Sequence, residues 1–115
     1  MTETIMNIYE NFSTALNRYD KENLSLPDEE LKYIILEELD IEAISFLHSK
    51  TINILINNNL IPKTTAEQIE TLRSQTLYLI NNKRSIQEIR DDKEWLEVRE
   101  LALLIKSKII DSKIN

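Results

Sequence analysis

Not one of the 115 residues is glycine. At average usage, about 7% glycine, a chain of this length would carry roughly eight. Glycine supplies the φ > 0 positions on which P-loops, dinucleotide folds, tight hairpins and oxyanion loops depend. Its absence removes most catalytic and nucleotide-binding architectures and leaves helices joined by Asn, Asp, Ser and Pro. The expected fold class is all-α.

The length fits one domain, residues 1–115, able to bury roughly two-thirds of the surface of its unfolded chain. Eighteen isoleucines and 11 asparagines read as the AT-rich codon usage of a low-GC bacterium and carry no mechanism. Cysteine is absent, so disulfides, thiol nucleophiles and thiolate metal sites are excluded. Met1-Thr2-Glu3-Thr4 lacks a basic region and the longest apolar run is Leu101 to Ile105. Neither a signal peptide nor a membrane span is expected on that basis, and the expected address is cytoplasmic.

Charge is unevenly placed. The formal net charge is −6, yet residues 1–60 carry 11 acids against 4 bases and residues 61–115 carry 9 against 10. Nine of the acids fall between Asp20 and Glu42, beside only 2 lysines. Such a block repels nucleic acid and anionic lipid and steers the chain toward a basic partner.

Apolar spacing and capping residues predict the helices. The first covers about 3–20, with Ile5, Ile8, Tyr9, Phe12, Ala15, Leu16 and Tyr19 at steps of three and four. Ser25-Leu26-Pro27-Asp28 opens a second over about 27–38, with Pro27 in the first turn and Leu31, Ile34, Ile35 and Leu39 inward. Asp40 is the expected N-cap of a third, about 41–58, unless the chain runs through with only a kink. Ile41, Ile44, Phe46, Leu47, Ile52, Ile54, Leu55 and Ile56 wrap most of that third helix, which predicts a central position. Asn57-Asn58-Asn59 ends it, with asparagine standing in for the left-handed C-terminal glycine.

Thr64-x-x-Glu67 and Thr65-x-x-Gln68 are overlapping capping boxes opening a fourth helix that extends to Asn81-Asn82. Ser85-x-x-Glu88 caps one short turn. Asp91-x-x-Glu94 caps the last helix, about 92–112, with Trp95, Val98, Leu101, Ala102, Ile105 and Ile109 inward. The expected architecture is an antiparallel four-helix bundle with an additional short helical turn.

No catalytic constellation is visible. His48 is the only histidine, so no His-based metal centre and no cofactor is expected; its place in the apolar stripe of the third helix suits a core or boundary residue, with a general base or pH switch as the alternative. Glu29-Glu30, Glu37-Glu38 and Asp91-Asp92 are adjacent acids that point about 100° apart on a helix and do not converge on one proton. Glu38 and Arg73 fall on core faces, so each is expected to find an opposite charge, with each other as one option.

Two surface features remain. Glu29, Tyr33, Leu36 and Asp40 share the outer face of the second helix and mix acids with an aromatic and an aliphatic side chain, as binding surfaces do. Together with Glu37 and Glu42 they form the expected partner surface. Leu96, Leu103 and Ile110 form a second stripe on the last helix, about 150° from Trp95. That stripe is expected to be mostly covered within the monomer; the alternative is an oligomer seam.

Ser85-Ile86-Gln87-Glu88-Ile89 followed by Asp92-x-Glu94-Trp95-x-x-x-Arg99-x-Leu101-Ala102 resembles small helical bacterial immunity proteins, including bacteriocin immunity proteins with a four-helix bundle. Chain length and the helical hairpin around Leu60-Ile61-Pro62 resemble them too. The resemblance implies a stoichiometric cytosolic toxin inhibitor, not an enzyme, and places no site residue. An acidic surface suits that role, because many toxin domains that cut nucleic acid are basic where they grip phosphate. A family acting on a membrane-targeted bacteriocin fits equally, so the toxin's chemistry stays open. The rival expectation is a homo-oligomeric helical scaffold or regulatory adaptor.

Overall fold

Thr2 opens the first helix, α1 (Glu3–Asn17), its side-chain oxygen accepting the Ile5 amide at 3.3 Å. The computed structural model describes residues 2–114, and among them every regular element is helical. A 3₁₀ turn (Lys21–Ser25) leads to α2 (Asp28–Lys32), a π-helical segment (Tyr33–Glu38) and α3 (Leu39–Ser45), which follow one another without a break. Pro27 sits just outside the first turn, its carbonyl accepting the Leu31 amide at 3.0 Å, while Asp28, Glu29 and Glu30 occupy the positive end of the helix.

The π segment changes which residues face inward. Its wider turn accommodates an extra residue and rotates the succeeding side chains relative to an α-helical register. Ile35, Leu36, Leu39 and Ala43 are therefore buried, whereas Ile34 and Glu38, both expected inside, are only half-buried. Asp40 caps nothing, because the helix passes straight through it to Ser45.

The expected helix over 41–58 is divided. It stops at Phe46, and α4 (Ser49–Asn57) starts afresh behind His48. His48 is thus an N-cap at a helix break rather than a member of an apolar stripe: its Nδ1 accepts the Lys50 amide at 3.1 Å. The Thr51 hydroxyl bridges the break by donating to the Ser45 carbonyl at 2.8 Å. The change of direction turns Leu47, Ile52 and Leu55 inward and leaves Ile41 and Ile44 exposed, against the expectation of an apolar helix buried all round. At its far end α4 closes as expected. Asn59 has φ 60°, its amide reaches the Ile56 carbonyl at 3.0 Å, and the Leu60 amide reaches Leu55 at 2.9 Å, a Schellman closure built on asparagine.

A 3₁₀ turn (Lys63–Thr65) precedes α5 (Ala66–Asn82). Neither expected capping box forms there, since Thr65 is buried and its hydroxyl donates back to the Pro62 carbonyl at 2.7 Å. The Ser85–Glu88 box at α6 (Ile86–Asp91) does form. Asp92, rather than Asp91, caps α7 (Lys93–Ile114), its carboxylate accepting the Glu94 amide at 2.8 Å. Lys83 donates to that same carboxylate at 2.8 Å and holds the Asp92 carboxyl below the usual range.

α5 and α7 pack along each other, α3 lies on α5, α1 touches α3, α4 and α7, and α6 joins α2 to α7. Trp95, Val98, Ala102, Ile105 and Ile109 point into the core as expected. The one polar pair in its middle is satisfied: Tyr19 Oη lies 2.6 Å from Thr76 Oγ1, and burial pushes the Tyr19 phenol up. Arg90 ties α6 to the start of α2, donating to the Leu24 carbonyl, to the Leu26 carbonyl at 2.9 Å and to Asp28 at 2.8 Å. That clamp fixes the angle at which the acid-rich helix leaves the core.

Candidate partner-binding surface

The acids between Asp20 and Glu42 have two destinations. Some are consumed by the fold. Arg18 forms a fork with Glu42, Nε at 3.0 Å and Nη2 at 3.1 Å, and its Nη2 also meets Glu38 at 2.7 Å. The Glu42 hydrogen bond raises the Arg18 pKa further. Glu38 therefore has its opposite charge, in Arg18 and not in Arg73. Arg73 meets Glu70 at 3.6 Å and donates to the Ala43 carbonyl at 3.2 Å. Asp20 is held by Lys106 at 2.7 Å.

The others project outward. Glu29, Glu30, Tyr33, Glu37, Ile41 and Ile44 are all exposed on the uninterrupted helix from 28 to 45. Two recesses meet at Tyr33. The larger, about 630 Å³, is lined by Glu29, Lys32, Tyr33, Leu36, Glu37, Arg84 and Ser85. The smaller, about 380 Å³, is lined by Glu29, Glu30, Tyr33 and Ile34. Tyr33, at 57% exposure, is a wall of both. In the larger recess Lys32 and Arg84 balance Glu29 and Glu37; in the smaller one both charges are acidic.

Of the six residues expected in the partner surface, Glu29, Tyr33, Leu36 and Glu37 line one recess. Leu36 contributes as part of its floor and not as an exposed anchor, since the π turn rotates it to 9% exposure. Asp40 is half-buried and lines neither recess. Glu42 is turned toward Arg18 and is separate from them. On this helix Ile41 and Ile44 are exposed although sequence reading placed them inside. Their signal is the spacing Tyr33, Glu37, Ile41, Ile44, which becomes one line only if the helix is read as continuous through Asp40.

The second stripe of α7 departs from expectation. Leu96, Leu103 and Ile110 are exposed, Leu103 at 60%. The adjacent acids stay apart: Asp92 binds Lys83 while Asp91 accepts from Gln87 at 3.1 Å. Among the described residues no cluster of His, Asp and Glu could hold a metal ion, and no helix is long and apolar enough to cross a membrane. Compared with known proteins, the chain matches no family model, no curated protein and no solved structure.

Proposed function

We propose that this protein is a non-enzymatic, immunity-type inhibitor that docks on a basic surface of a bacterial toxin in the cytoplasm. The docking face is the outer side of the 28–45 helix, with Tyr33 as anchor and Glu29, Glu30 and Glu37 around it. The long helices behind it are read as a four-helix bundle whose second rod carries the π turn. The observation that carries this reading is Tyr33, a large exposed aromatic that walls two recesses, with Glu29, Glu30 and Glu37 beside it in none of the ion pairs among the described residues. Aromatic anchors with a charged rim are the usual energetic centre of an interface. A π turn is an unusual local structure that concentrates at functional sites, and this one begins at Tyr33.

The test uses the product of the neighbouring gene as partner. Glu29→Lys with Glu37→Lys reverses two outward charges that make no ion pair within the fold. The expected result is association slowed about tenfold or more at low salt, with dissociation little changed. The difference should shrink as salt rises toward a Debye length of about 8 Å. An association rate indifferent to both the substitutions and the salt contradicts an acidic docking face.

A second reading rests on the exposed Leu96, Leu103 and Ile110: a homo-oligomeric scaffold with α7 as its seam. Burying each such side chain stabilises by about 1.5–3 kcal/mol. This reading expects sedimentation to show a mass that rises with concentration, and Leu103→Glu to restore the monomer with helicity unchanged. A constant monomer mass eliminates it.

A further inference from the structure

α7 carries one cation inside the fold. Arg99 is 4% exposed; its Nη2 donates to the Ile89 carbonyl, but Nη1 is closed to solvent and has no hydrogen-bond partner. None of the ion pairs among the described residues includes it. Burial alone pulls its pKa down. A desolvated guanidinium is costly unless an anion and hydrogen bonds replace its water, so an arriving acceptor gains more here than at the surface.

Arg99 is also a wall of a recess of about 360 Å³ between α7 and the segment after α1. Lys106 and Lys21 add two positive charges to that wall, and Asp20 and Glu22 add two negative ones, with Lys106 on Asp20 at 2.7 Å. With Arg99 the recess is net positive by one, in a chain whose net charge is −6. A monoanion balances that excess, while a dianion meets the repulsion of Asp20 and Glu22. Ala102, Leu103 and the Tyr19 ring supply an apolar side.

We propose that this recess binds a small aliphatic monocarboxylate, its carboxylate accepting from Arg99 Nη1 and its hydrocarbon lying along Ala102 and Leu103. Entry needs the Arg99 side chain to shift toward the recess it already lines. The site lies apart from the Tyr33 surface and is independent of the toxin-inhibitor reading.

Titration with sodium butyrate at constant ionic strength, beside butyramide and inorganic phosphate, tests this by NMR of the Arg99 Nε–Hε and Leu103 methyl resonances. Butyrate should give a saturable shift in the millimolar range, butyramide none, and phosphate a response at least tenfold weaker. Arg99→Met should abolish the butyrate response at the Leu103 methyls with helicity retained, because the guanidinium donors are lost and the volume is kept. Arg99→Lys should bind more weakly than the native protein, its charge lacking the planar fork. A flat butyrate titration, an equal response to butyramide, or phosphate binding as tight as butyrate overturns the proposal.

Discussion

Trp95→Ala is expected to lower the free energy of unfolding by about 3–5 kcal/mol, the cost of truncating a large buried aromatic. Trp95 is 1% exposed in the first turn of α7, and its indole N–H donates to the Lys83 carbonyl at 2.9 Å, where α5 has just ended. The substitution therefore opens a cavity and strips a donor from the end of a second helix. A domain of this size holds about 5–15 kcal/mol in all, so about a fifth or more of its stability is at stake. Trp95→Phe keeps an aromatic ring but loses the hydrogen bond and part of the indole volume, and should cost less, about 1–3 kcal/mol. Denaturant unfolding followed by circular dichroism measures both. A loss below about 1 kcal/mol for Trp95→Ala would show that α7 does not carry the core as described.

The helical class, the caps at Ser85 and Asn59, and the inward stripe of α7 were legible because each is decided within one turn of chain. The capping box needs only Ser85 and Glu88, and the left-handed closure needs only an asparagine at the right place. What failed was register over longer distances. Nothing local in Tyr33–Glu38 announces a π turn: the segment continues a good α-helical pattern, and the extra residue is fixed by how Leu36, Leu39 and Ala43 fit against the rest of the core. The break at Phe46–His48 is of the same kind. An apolar run with no proline or glycine reads as one helix until tertiary packing turns Leu47 and Leu55 to the same interior.

Those two register changes account for Leu36, Ile41 and Ile44. The π turn took Leu36 from the exposed face into the floor of a recess, and the break released Ile41 and Ile44 to the surface. Glu42 left the surface because Arg18, 24 residues earlier, claims it with a fork. Sequence spacing assigns a residue to a helix face but says nothing of a long-range partner waiting there. Glu29 and Tyr33 kept their expected places because they lie at or before the first residue of the π segment, and Glu37 stays exposed within it. The α7 stripe of Leu96, Leu103 and Ile110 keeps its expected spacing but stays exposed, because periodicity fixes a helix face and not what packs on it.

Tyr33→Ala is expected to weaken binding of the neighbouring-gene product by about 2–4 kcal/mol, roughly 30-fold to 1,000-fold, almost all of it as faster dissociation. The anchor forms the wall shared by both recesses, so its loss removes apolar contact that the surrounding acids cannot replace. Tyr78 on α5 is the matched control. It is 54% exposed, close to Tyr33's 57%, but it lies on a different face of the molecule, in a recess with Glu94 and Glu97. The decisive measurement is the dissociation rate of the Tyr33→Ala and Tyr78→Ala proteins from that partner, side by side, with unchanged helicity in both. An acidic docking face on the 28–45 helix predicts a rate raised at least 30-fold for Tyr33→Ala and unchanged for Tyr78→Ala. The reverse pattern, with Tyr78→Ala released quickly and Tyr33→Ala held as tightly as the native chain, contradicts it and moves the interface to the α5–α7 side.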